Sequence, residues 1–101
     1  MRFGVNTWVW VSPLTSDELE RLVLHVAALG FDWIEFPIEA PGGYDYRRAG
    51  KLAQAHGLRT SVAAAMAPDR DLIHPDVSIR ANGVAFVEHC LDAAHTMRAT
   101  N

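Results

Sequence analysis

Hydrophobic and polar positions follow two different periods along this chain, and the period changes at glycines and prolines. From Thr15 onward apolar residues recur at helical spacing, with Leu19, Leu22, Val26 and Leu29 on one stripe and Val23 beside it. Glu18, Arg21 and His25 lie off the stripe, and His25 reads as a solvated helix residue. Gly30 then offers the left-handed conformation needed just past a helix, with Phe31 placed to pack back on the last turn. The stretch Gly30-Phe31-Asp32-Trp33-Ile34-Glu35-Phe36-Pro37-Ile38-Glu39 switches to strand-type residues. Alternation sets Ile34 and Phe36 on one face and Trp33, Glu35 and Pro37 on the other. With helices on the first face, Glu35 points toward the middle of the sheet, where a carboxylate must be paired or work in a wet site. Pro37 has no N–H and stops the ladder, and Glu39 follows in the loop.

The same unit repeats on either side. Phe3 to Trp10 predicts a first strand, with Gly4, Asn6 and Trp8 facing inward. Ser12-Pro13 breaks it, and Thr15-Ser16-Asp17-Glu18 has the form of a capping box. Ala40-Pro41-Gly42-Gly43 is a turn. Tyr44 to His56 predicts a second helix, capped by Asp45, with Ala49, Leu52 and Ala53 as its core face. Gly50 interrupts it at a cost of about 1 kcal/mol against Ala. His56 suits the negative end of the helix dipole, and Gly57-Leu58 repeats the stop seen at Gly30-Phe31. Thr60 to Ala65 predicts a third strand whose inward set, Ser61, Ala63 and Ala65, is small enough either to leave room for a ligand or to fill a tight layer. After the polar loop Pro68-Asp69-Arg70-Asp71, Pro75 suits the first turn of a third helix running to about Met97, with Val84, Val87, Leu91 and Ala94 on one stripe. Glu88, Asp92 and His95 share another face, which reads as solvated rather than as a metal clip.

The order is therefore βαβαβα, with strands repeating roughly every thirty residues, the size of a βα unit. That order predicts an α/β fold with a parallel three-stranded sheet, ordered one-two-three, with helices on one face and right-handed crossovers. Met97-Arg98-Ala99 stands where the two earlier helix stops stood, so a fourth strand is expected to begin there, although Arg98 replaces the expected glycine. A complete barrel of such units needs about 250 residues. Residues 1–101 are read as one domain holding the first three βα units of such a barrel.

Composition narrows the function classes. Half of the 101 residues are hydrophobic and 21% are charged, as in a globular domain. A net charge of −3 argues against a sequence-independent nucleic-acid binder. The single cysteine, Cys90, excludes an internal disulfide and reads as a small buried hydrophobe. No signal-peptide pattern or membrane-length apolar run occurs, which makes the cytoplasm the expected compartment.

Gly4-Val5-Asn6-Thr7-Trp8-Val9-Trp10-Val11-Ser12-Pro13-Leu14-Thr15 resembles the opening strand and loop of the sugar phosphate isomerase/epimerases, the xylose-isomerase-like TIM barrels that include D-tagatose 3-epimerase and D-psicose 3-epimerase. The resemblance continues through Leu29-Gly30-Phe31-Asp32, Glu35 to Glu39, Ala67 to Leu72, and Pro75 through Ala94. It implies a divalent metal, manganese, magnesium or cobalt, that polarises a sugar's carbonyl while two carboxylates move the proton on the neighbouring carbon. The family's ligands come from later strands, so the resemblance carries no metal or acid/base residue onto this chain, and the chain alone is expected to be inactive. It implies a substrate wall on the early strands: Asn6, Trp8 and Trp10 on the first, Glu35 on the second, Ala63 on the third. Trp8 and Trp10 serve equally as barrel packing, Glu35 as a structural carboxylate, and Asp69-Arg70-Asp71 as a solvated loop. Two other readings remain, a non-catalytic βα module that self-assembles and a fragment of an apurinic-endonuclease-like barrel. Exposed strand edges and an apolar inner face predict an isolated chain that is partly unfolded or associates with itself.

Overall fold

The computed structural model describes residues 1–101. Three strands, β1 (Gly4–Asn6), β2 (Trp33–Ile38) and β3 (Arg59–Ala64), alternate with three helices, α1 (Leu19–Ala28), α2 (Tyr46–Ala55) and α3 (Val77–Thr96). The sheet is parallel, in the order β1-β2-β3, as the repeating pattern predicts. Ile34, Phe36 and Ile38 on one face of β2 are buried in a single core with Leu19, Leu22, Val23 and Val26 of α1, Ala49 and Ala53 of α2, and Phe86, Cys90 and Ala93 of α3. No helix is long and apolar enough to cross a membrane.

All three helices leave through a residue in the left-handed region. Gly30 has φ 84°, Gly57 has φ 72°, and Arg98 after α3 has φ 55°. Arg98 thus takes the conformation of the two glycines despite its side chain, which costs roughly 1–2 kcal/mol in an L-residue. Beyond it the backbone reaches the outer edge of β3, where the Thr100 N–H donates to Thr60 O (3.1 Å) and the Val62 N–H donates to Asn101 O (2.9 Å). Thr100 and Asn101 therefore run hydrogen-bonded along the outer edge of β3, while the sheet itself has three strands.

The structure corrects several local expectations. The first strand spans only Gly4–Asn6, and Thr7–Val9 form a 3-10 turn. Asn6 is the cause: its side-chain oxygen accepts from the Trp8 N–H at 2.8 Å, capping the turn and drawing the chain out of the ladder. The Thr15 side chain makes no cap. It precedes a 3-10 turn at Ser16–Glu18, and Glu18 pairs with Arg21 instead. Leu29 lies past the end of α1 and is 55% exposed.

The largest correction concerns α3. Val84 and Leu91 of the expected stripe are exposed, and the buried face is Gly83, Phe86, Cys90 and Ala93, continued by Met97. Both sets have the same spacing, displaced by one residue. The small residues decide the outcome: a Cβ on Gly83 would stand 2.7 Å from Arg70 O, so the helix sits too close there for any residue but glycine. Burial pushes the Cys90 thiol up from its ordinary 9.0, with Arg70 acting in opposition, which fits an inert core residue.

Asp45 caps α2 as expected, accepting from the Arg48 N–H at 3.0 Å. Pro75 stands ahead of α3, whose cap is Asp76; its Oδ1 accepts from both the N–H and the hydroxyl of Ser78, each at 2.8 Å. These bonds hold the Asp76 carboxyl below its ordinary 3.8. A depressed folded pKa adds stability above the unfolded value and loses it as pH falls through the folded value. We expect the first turn of α3 to loosen as pH drops below the ordinary carboxylate value, and Asp76→Asn to flatten that dependence. Amide exchange at Ser78 across the range checks it; an unchanged profile in Asp76→Asn would count against the cap.

Candidate functional site

The inner face of the sheet is built in rows set by the strand register. The lowest row is Gly4, Trp33 and Arg59. The Arg59 guanidinium lies 4.7 Å from the centre of the Trp33 ring. A Cβ on Gly4 would meet the Trp33 Cβ at 2.8 Å, so glycine is what lets the indole lie across this end. The next row is Asn6, Glu35 and Ser61. Asn6 Nδ2 donates to Glu35 Oε1 at 2.9 Å, and Ser61 Oγ donates to Glu35 Oε2 at 3.2 Å. Both atoms of the Asn6 amide are engaged, because its Oδ1 accepts from the Trp8 N–H. Each oxygen of Glu35 has one donor, and a carboxylate accepts about four. The carboxylate therefore keeps acceptor capacity toward an open cleft of about 370 Å³, whose lining includes Gly4, Asn6, Trp33, Glu35, Ser61 and Asn101.

A second group stands beyond the C-terminal ends of β1 and β2. Trp8 Nε1 donates to Glu39 Oε1 at 2.9 Å, and Ser12 Oγ donates to the same oxygen at 2.5 Å. The Glu39 carbonyl accepts from Arg70 Nη2 at 2.6 Å. The same guanidinium donates twice to Ala65 O and lies 3.9 Å from the centre of the Phe86 ring. Arg70 therefore fastens the loop after β2 and the end of β3 to α3.

Of the five expected wall residues, Asn6 and Glu35 come together in the cleft. Trp8 does not line the cleft; it stands half exposed just past the end of β1 and is joined to the row through the Asn6 bond. Ala63 faces Pro37 one row beyond Ser61 and does not line the cleft. Trp10 goes elsewhere: the 3-10 turn reverses the alternation, and its ring packs against the core and edge-on to His25, with centroids 5.2 Å apart. Ser61, which lines the cleft, was missing from the expected wall, as were Glu39, Ser12 and Arg70 of the second group from the expected residues. Ser61 carried a signal, since it was the one hydroxyl in an otherwise alanine inward set. Glu88, Asp92 and His95 are exposed on α3, and no three or more metal-ligating side chains assemble anywhere in the chain.

No family model matches the chain. It is 30% identical over 86 residues to an L-ribulose 3-epimerase from Mesorhizobium japonicum, covering 85% of this chain and 29% of that protein. It is 24% identical over 101 residues to a ketose 3-epimerase from Arthrobacter globiformis, covering 35% of it. Superposition on the structure of an L-ribulose 3-epimerase gives a TM-score of 0.87 at 26% identity, over 97% of this chain and 33% of that one. The chain thus spans about a third of the length of the relatives it matches. Strand order, helix placement and sequence agree in likening this chain to about a third of a ketose 3-epimerase TIM barrel, consistent with the N-terminal portion of such a barrel.

Proposed function

We propose that this chain supplies the early-strand wall of the substrate site in a ketose 3-epimerase, a metal-dependent enzyme that moves a proton on the carbon beside a sugar's carbonyl. The observation that carries the reading is the Asn6–Glu35–Ser61 row, a carboxylate held by one donor on each oxygen and still open to a cleft. Sugar hydroxyls donate hydrogen bonds, and an exposed indole such as Trp8 suits the apolar C–H face of a sugar ring. The names of the relatives support the substrate class. A divalent metal, when bound, would polarise the carbonyl. This chain's own side chains do not fit such an ion, because they bring no three donors together, so no step is assigned to them through it. Their work is to bind and orient the sugar. No proton-transfer role is assigned to residues 1–101, and the chain alone is proposed to be inactive.

The test is titration of the purified chain with L-ribulose, followed by saturation-transfer NMR, with a parallel turnover assay in manganese. We expect weak binding, reduced about fivefold or more in Glu35→Gln and in Trp8→Ala, the effect of losing one hydrogen bond or one stacked face. Unchanged binding in both folded variants would remove the wall assignment. Turnover above a metal-only blank would overturn the proposed inactivity.

A further inference from the structure

We infer that Glu39 is a positioning residue that locks the Trp8 indole in one orientation beyond the C-terminal end of β1, an inference that rests on the sugar-binding reading above. Trp8 is 43% exposed and belongs neither to the buried core nor to the hydrophobic residues packed against it. A large aromatic side chain with little packing would ordinarily sample several rotamers, and holding one costs side-chain entropy. Here the residue is held at two points. Its backbone N–H is bound by Asn6 Oδ1 at 2.8 Å, and its indole N–H is bound by Glu39 Oε1 at 2.9 Å. The second bond ends on a carboxylate, which makes it stronger than a neutral one.

Glu39 is itself held in place. Ser12 Oγ donates to the same Oε1, and the Glu39 carbonyl accepts from Arg70, whose guanidinium stacks on Phe86 in the core. A continuous series of contacts therefore runs from the core of α3 to the exposed indole. Stability alone does not account for the carboxylate. Its other oxygen, Oε2, is buried without a hydrogen-bond partner, and an unpartnered buried acceptor is unfavourable. The arrangement accepts that cost where it holds an exposed aromatic side chain, which is the behaviour of a support for a binding group.

The brace is tested first without any sugar. In the ¹⁵N-labelled full chain, the three indole N–H resonances are assigned by single Trp→Phe substitutions. We expect Glu39→Ala to shift the Trp8 indole resonance and speed its solvent exchange about tenfold, leaving those of Trp10 and Trp33 in place, while Glu39→Gln keeps an acceptor and restores most of the effect. L-ribulose titration then asks what the brace does. Glu39→Ala is expected to weaken binding about fivefold, and the same substitution in a Trp8→Phe background, where no N–H remains to hold, is expected to cost almost nothing further. An unmoved Trp8 resonance in Glu39→Ala, or an equal loss of binding in the Trp8→Phe background, would overturn the inference. Absence of L-ribulose binding by the unsubstituted chain would overturn the sugar reading, and the indole resonances would still decide whether the brace exists.

Discussion

Gly50→Ala will destabilise the chain by about 2 kcal/mol, although helix propensity alone predicts a gain of about 1 kcal/mol. Gly50 lies inside α2, at the crossing with the end of α3. A Cβ there would stand 2.7 Å from Met97 O and 2.8 Å from Met97 Cα. Both are backbone atoms, so no side chain can rotate away. Relief requires moving the end of α3, and Met97 is fully buried and accepts from the Thr60 hydroxyl through its carbonyl. The same movement disturbs the left-handed Arg98 and the two backbone bonds that Thr100 and Asn101 make along β3. Overpacking of this kind costs about 3 kcal/mol, from which the propensity gain is subtracted. Urea denaturation, with Gln54→Ala on the exposed side of the same helix as control, measures the difference. A midpoint equal to or above the parent's would show that the two helices have room to separate.

Arg70→Ala will cost a similar amount, about 3 kcal/mol, and Arg70→Lys will recover less than half of it. The guanidinium makes three donations to two loop carbonyls, Ala65 O and Glu39 O, and stacks on Phe86. Truncation leaves both carbonyls without this donor in a partly buried setting and exposes one face of the Phe86 ring. Lysine restores a charge, but its single ammonium cannot span the fork or stack as a plane. Denaturation midpoints of the three proteins test this. If Lys and Arg prove equivalent, the contribution comes from charge alone and the planar geometry is irrelevant.

The backbone plan was legible in the sequence because its signals are local. Gly30 and Gly57 mark helix exits by conformation, Asp45 marks a helix start by its side-chain acceptor, and the run from Trp33 to Ile38 alternates as a strand must. Side-chain outcomes that depend on distant residues were not legible. The stripe Val84, Val87, Leu91 and Ala94 has the same spacing as Gly83, Phe86, Cys90 and Ala93, and the close approach of Arg70 and Leu72 to Gly83 separates them. The first strand ended early because one asparagine bonded the backbone N–H two residues on, a competition that alternation does not register. In the site, Glu35 could be assigned a direction from alternation. Its pairing with Ser61 needed the strand register, and the bond from Trp8 to Glu39 needed two loops brought together from 31 residues apart.

The Asn6–Glu35–Ser61 row also constrains whatever polypeptide lies opposite it. Three strands offer that carboxylate two donors, one from each neighbour, and the remaining lone pairs point toward territory the sheet does not fill. A side chain arriving at that level meets a fixed acceptor. Lysine, arginine, serine, threonine and the amide side chains can answer it; aspartate and glutamate are repelled, and leucine or valine would strip water from an ion without replacing it. The row therefore works as a filter on any group brought against this face of the sheet, admitting hydrogen-bond donors and disfavouring anions and apolar side chains.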